Sequence, residues 1–416
     1  MNIKKTTLQN GLTVITDEIR GFETVSIGIF VGSGAINEEK NYGVSHFVEH
    51  MAFKGTKART ASDISEQIER VGGVINAYTS KESTVFYAKV LKNDIELGID
   101  IISDIVQNPV FDECEFRKEK SVIIQEIKMY NDTPDSLVFD LAQESAFGDT
   151  NLGRNIIGSE ESVSNMVRED LFGYIREYYS SDKMVLCVSG ACNHDNVVDL
   201  ANKYCDNMRC FDTTDYPKQM YSGGFSCAKK DIDQANIVFG FESLKRDEDN
   251  KHAMTTLSIL LGGGMSSRLF RKIREDHGLV YSICAFNSSY RDTGSFVVYA
   301  GCDSCNLNQV IDLSLEQLED VKNNINDDEL QRSKTQLKSS LLMGLESTST
   351  RMKMLGNTWL QYGKLVDIEW ERKIIDAITI DMVQNIAKEI FKGRMTLAVV
   401  SGEDDKSLSR IAQYSR

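Results

Sequence analysis

Two rhythms of apolar and polar positions run along the chain. In YGVSHFVEHMAF (residues 42–53) the apolar Val44, Phe47, Val48 and Met51 fall at steps of three and four, and no Gly or Pro follows Gly43. That spacing predicts an amphipathic helix. A second helix is predicted within FDECEFRKEKSVIIQEIKMYND (111–132), where Asp112 and Glu115 make a D-x-x-E start suited to capping the first turn. Between these helices and after them lie β-rich runs: TVSIGIFVGSG (24–34), the hairpin-like GGVINAYTSKESTVFYAKV (72–90) and ANIVFGFES (235–243). The first strand of that hairpin is a candidate sheet edge.

The pattern occurs twice. EDLFGYIREYYSSDKMVLCVSG (169–190) and IDMVQNIAKEIFKGRMTLAVVSG (380–402) share an amphipathic stretch, a polar break and a β-rich run ending in Ser-Gly, about half a chain apart. The runs 24–34 and 235–243 repeat each other in the same way. Between the copies, MRCFDTTDYPKQMYSGGFS (208–226) holds one of the chain's 3 prolines, a glycine pair and few periodic apolar positions, which reads as a linker. The expected organisation is therefore two similar α/β domains, 1–210 and 226–416, joined by a linker at 211–225. Superposing the copies carries His46 onto Ser258 and Glu126 onto Lys338, so the fold repeats and the polar groups do not.

Composition narrows the function. The chain has 416 residues, long enough for two cores, and a net charge of -15, which argues against a phosphate-backbone partner such as nucleic acid. No run is apolar enough to insert in a membrane. The start MNIKKTTLQNGLTV has no apolar signal core, and the 9 cysteines read as reduced thiols, so a cytoplasmic location is expected. Cys302 and Cys305 have the CxxC spacing, but a zinc ribbon needs a second such pair and Cys284 alone does not supply it. The glycines of LGGGMSSR lack the Gly-Lys-Ser/Thr ending of a phosphate loop.

The chemistry concentrates in HFVEH (46–50). The chain has only 5 histidines, and His46 and His50 stand one turn apart on the predicted helix, with Glu49 beside them. Two such imidazoles can ligate one tetrahedral zinc, and a neighbouring carboxylate can reach water at the metal. A catalytic zinc needs a third ligand. The second helix offers Glu119 and Glu126, seven apart on one face.

HxxEH followed by a glutamate 76 residues after His50, with another glutamate seven before it, resembles the inverzincin peptidases of the pitrilysin and insulinase type. Within them it is similar to the β subunit of the mitochondrial processing peptidase and its short bacterial relatives. HFVEHMAFKGT, VINAYTSKE, LGRNIIG, LGGGMSSRLF and IREDHGLVYS extend the likeness over essentially the whole chain. The resemblance implies an α+β fold of two homologous α/β domains, each a mainly antiparallel sheet with helices, enclosing a central cleft. It implies one Zn2+ per chain held by His46, His50 and Glu126, with Glu49 as general base and Glu119 orienting a ligand histidine. The reaction expected is endopeptidase attack of zinc-bound water on short or unfolded peptides.

The same resemblance implies substrate contacts. Asn76 and Ala77 would pair an extended peptide as an added strand. Phe53 matches an aromatic lining the pocket after the cleaved bond, and Arg274 with Tyr281 matches a pair from the second domain that serves the substrate backbone. Processing peptidases favour arginine two residues before the cut and receive it on two acidic residues; here Asp140 keeps one, while Ser136 stands for the other. A weaker preference for basic residues is expected. A homodimer or a related partner subunit is also implied. The alternative is a non-catalytic scaffold, since some relatives keep the fold without the activity.

Overall fold

Six strands near the start of the chain build one sheet: β1 (Ile3–Thr7), β2 (Thr13–Glu18), β3 (Thr24–Val31), β4 (Val74–Thr79), β5 (Thr84–Leu91) and β6 (Met184–Gly190). Their order is β1-β2-β6-β3-β5-β4, which leaves β4 at an edge. Five more build a second sheet: β7 (Gly224–Lys229), β8 (Gln234–Ser243), β9 (Val280–Ser289), β10 (Gly294–Asp303) and β11 (Met395–Ser401), ordered β7-β11-β8-β10-β9. Apart from β1, the two plans match strand for strand. The pairs β2–β6 and β7–β11 are parallel, and every other pair is antiparallel. The repeat read from the sequence is a repeated topology: two homologous α/β units with mainly antiparallel sheets. The computed structural model describes residues 1–403 and 411–415.

The first unit comprises Met1–Ile127, Asn155–Pro217 and Leu342–Ile368; the second comprises Lys128–Arg154, Lys218–Leu341 and Glu369–Arg416. These units depart from a simple division at 210 and 226. Residues 128–154 pack with the second sheet, and 342–368 pack with the first. The reason lies in what each sheet must cover. Strand β3 is buried on both faces, so from Val25 onward it reads as a mainly apolar run, broken by the buried Ser26. Val25, Ile27, Ile29 and Val31 face a core shared with the helices α1 (Val44–Ala52), α2 (Ala61–Arg70) and α3 (Ile95–Gln107). Phe30 points to the other face, where Ile15, Val85, Val185 and Cys187 meet Met352 and Leu355 of the helix Thr348–Tyr362.

That helix lies close. A Cβ at Gly356 would stand 2.5 Å from the Phe30 ring, so only glycine permits the contact. Arg351 on the same helix donates to the fully buried Asp17 of β2 at 2.7 Å, and Ser26 on β3 bonds Thr348 at 2.8 Å. In the second unit the corresponding service comes from an early segment. Helix α4 (Glu113–Asp132) ends at Thr133-Pro134, and proline opens α5 (Pro134–Phe147) at its first position. Val138 and Ala142 of α5 then pack with Val238 of β8 and with Ala398 and Val400 of β11.

Candidate metal centre

Helix α1 is fixed before it presents anything. Gly43 precedes it with φ +92°, and a Cβ there would strike the Ile157 carbonyl at 2.6 Å. The buried carboxylate of Glu38 accepts from Gly43 N (2.7 Å), Ser45 N (2.9 Å) and Ser45 Oγ (2.5 Å), satisfying donors of the first turn. Burial pushes the Glu38 carboxyl up to about 7, against these bonds and the more distant Lys81. Phe47, Val48 and Met51 anchor the helix in the core, with Phe47 stacked on Phe116 of α4 at 4.7 Å between ring centroids. Asp112 caps α4 by accepting from Cys114 N and Glu115 N, as the D-x-x-E start predicts.

These anchors bring together His46, His50 and Glu126, whose donor atoms lie within 4.8 Å of one another. The His46 and His50 Nε2 atoms stand 3.9 and 3.6 Å from the same oxygen of Glu126. Those separations are too long for hydrogen bonds and short enough for one ion with ligand bonds of about 2 Å to bridge. Burial, reinforced by the neighbouring His50, pushes His46 down to about 3, so its imidazole is neutral with a lone pair to give. Among the described residues, the buried Nδ1 of His46 has no hydrogen-bond partner. Two imidazoles and a carboxylate converging without shared protons fit a divalent cation, and the nitrogen-rich set suits zinc.

The surrounding groups fix these side chains. Glu119 is buried on α4 and lies 3.1 Å from His50 Nδ1, which leaves His50 Nε2 turned toward Glu126. Lys54, one turn beyond His50, holds the other Glu119 oxygen at 2.7 Å. Glu49 points to the end of β4, where Thr79 Oγ donates to it at 2.6 Å. Burial raises the Glu49 carboxyl above its ordinary range, opposed by the Thr79 bond.

Sequence reasoning missed Lys54, Thr79 and Glu38. Thr79 left a trace: it continues the Ile75–Ala77 face of β4, a polar residue where the strand pattern expects an apolar one. Lys54 sits inside the quoted MAFKGT, a basic residue within reach of the glutamate helix. Glu38 gave no motif.

The other expected residues are placed as follows. Asn76 and Ala77 lie on the edge strand β4, and the Ala77 N–H donates to Asn76 Oδ1 at 2.8 Å. Phe53 ends α1 partly buried against the core, 6.4 Å from the Phe86 ring. In the second unit, Arg274 lies over Phe270 at 4.9 Å within the short helix Phe270–Asp276. Tyr281 is half-exposed on β9, its hydroxyl donating to Asp303. Asp140 and Ser136 are half-buried on α5. Cys302 is buried and Cys305 exposed, both as free thiols.

The family profile described as Insulinase (Peptidase family M16) matches residues 13–160, and that described as Peptidase M16 inactive domain matches residues 165–337. A protein of Bacillus subtilis named zinc protease YmxG is 35% identical over 96% of this chain and 98% of its own. A zinc protease of Rickettsia felis is 36% identical over 97% of this chain and 98% of its own. A protease from Helicobacter pylori of known crystal structure shares the fold, with TM-score 0.88 and 22% identity over 96% of this chain and 99% of that one. The profiles and relatives together span both units: this chain belongs to the insulinase family of peptidases, family M16.

Proposed function

We propose that the chain is a zinc endopeptidase acting on peptides in extended conformation, with His46, His50 and Glu126 holding the metal. The observation that carries this reading is the convergence of those three donors beside a carboxylate, Glu49, that binds none of them by hydrogen bond. The names of the relatives, zinc proteases, support the choice of metal. A zinc ion held there supplies Lewis acidity, making water acidic near neutral pH and polarising a carbonyl. Glu49 takes the proton of the attacking water and returns it to the leaving amine. Its raised affinity for protons suits that exchange. Glu119 keeps His50 in one tautomer through Nδ1, with Lys54 balancing its charge.

Substrate enters as a strand on β4. The outward Ala77 N–H is now satisfied by Asn76 Oδ1, and a substrate carbonyl replaces that acceptor. Arg274 and Tyr281 serve the substrate backbone, Phe53 lines the pocket beyond the cut, and Asp140 gives a modest preference for arginine two residues before it. A cytoplasmic location is supported by the 9 cysteines, none of which forms a disulfide. No helix among the described residues is long and apolar enough to cross a membrane. The resemblance adds a homodimer or a related partner subunit. Incubation of the purified chain with unstructured peptides, with and without a chelator, tests the proposal. Chelator-sensitive cleavage is expected; cleavage that survives complete metal removal contradicts it.

A further inference from the structure

Thr79 stands where the edge strand meets the zinc helix. It is the last residue of β4, paired with Thr84 of β5, and shares a strand face with Ile75 and Ala77. Ile75 and Ala77 pack against the core that contains Phe47, Val48 and Met51 of α1. The pleat therefore aims the Thr79 hydroxyl at α1, where it donates to Glu49 Oε2 at 2.6 Å.

The strand end is held from three sides. Ser80 N donates to the Ser83 carbonyl at 2.8 Å, and Ser83 N donates to Ser80 Oγ at 3.1 Å, closing the turn into β5. On the opposite face, Tyr78 meets Tyr87 edge-on at 6.2 Å, and the Lys353 ammonium lies over both rings. Thr84 Oγ donates to the Ser33 carbonyl at 3.0 Å, tying the paired residue to the end of β3. The threonine Cα thus has little freedom, and its side chain is branched and stiff. Glu49, by contrast, is a long side chain with several rotamers, and among the described residues the Thr79 hydroxyl is its side-chain hydrogen-bond partner, with the Thr79 backbone N–H facing the same carboxylate.

We infer that Thr79 is a positioning residue for the reaction, holding the general base through Oε2 so that Oε1 is free to take the proton from water. The inference deepens the proposed function and rests on it: the strand that receives substrate also sets the base. An aliphatic residue of the same shape would leave the carboxylate to sample other rotamers, lowering turnover and not substrate affinity.

The test compares Thr79→Val, which keeps the shape and loses the hydroxyl, with Thr79→Ser, which keeps the hydroxyl. For Thr79→Val, kcat on an unstructured peptide should fall about tenfold, the factor carried by one charge-assisted hydrogen bond, with KM within about twofold. Zinc content by elemental analysis should be unchanged, and Thr79→Ser should recover kcat to within about threefold of the parent. A crystal structure of Thr79→Val should show the Glu49 carboxylate displaced from the end of β4. Full kcat in Thr79→Val, an equal loss in Thr79→Ser, or an unmoved Glu49 overturns the inference. If the parent chain cleaves nothing, the proposed function fails on its own, and the Glu49 position in the crystal still decides the role of Thr79.

Discussion

Single residues divide into those that would hold the metal and those that hold them. His50→Ala or Glu126→Ala removes a donor from the converging set, and purified protein should then contain little zinc. Glu119→Gln keeps the shape and weakens the partner of His50 Nδ1, so zinc affinity should fall about 10- to 100-fold while binding persists. Competition with a chromogenic chelator measures both. Equal losses in all three variants would deny Glu119 its supporting place. The convergence of the two histidines was legible in the sequence because helical spacing alone puts His46 and His50 on one face. Choosing Glu126 over Glu119 needed the resemblance, since both lie on the same stripe of α4. Lys54 and Thr79 act through single side-chain contacts between distant segments, and no local pattern encodes such a contact.

At the level of elements, the start of α1 depends on one buried carboxylate. Glu38 satisfies three donors there, yet burial raises it from an ordinary 4.5 to about 7. Between those values the folded protein keeps a proton that the unfolded chain has lost. Its contribution is therefore fully present below about pH 4.5 and declines as pH rises through 7, by about 3 kcal/mol in all. Glu38→Gln cannot titrate. The stability of the parent relative to Glu38→Gln, from urea midpoints, should fall between pH 5 and pH 8; a flat difference would contradict the burial argument. The helices α1 and α4 and the strands β3, β4, β5 and β8 were visible from periodicity, and Asp112 at the head of α4 from its capping pattern. Glu38 was not, because it lies in an irregular segment between β3 and α1 and acts across a turn of no standard spacing.

Over the whole chain, the repeat was legible and the packing of its parts was not. Periodicity reports which face of a helix is apolar, never which sheet will receive it. The helix Thr348–Tyr362 covers Phe30, Val85 and Val185 of the first sheet, and α5 covers the second. A fragment 1–210, reasonable from the linker composition, lacks that helix and leaves the far face of β3 uncovered. It should aggregate or show no cooperative unfolding, and co-expression with 218–416 should restore a soluble complex; a well-folded, monomeric 1–210 would contradict this packing. The central claim is that the chain hydrolyses peptides with Glu49 as base and with metal held independently of it. The most direct measurement pairs zinc content with peptide turnover in Glu49→Gln, which keeps all three ligands and loses the base. The account predicts about one zinc per chain and at least a hundredfold loss of kcat. Near-native turnover in that variant, at full zinc occupancy, would contradict it.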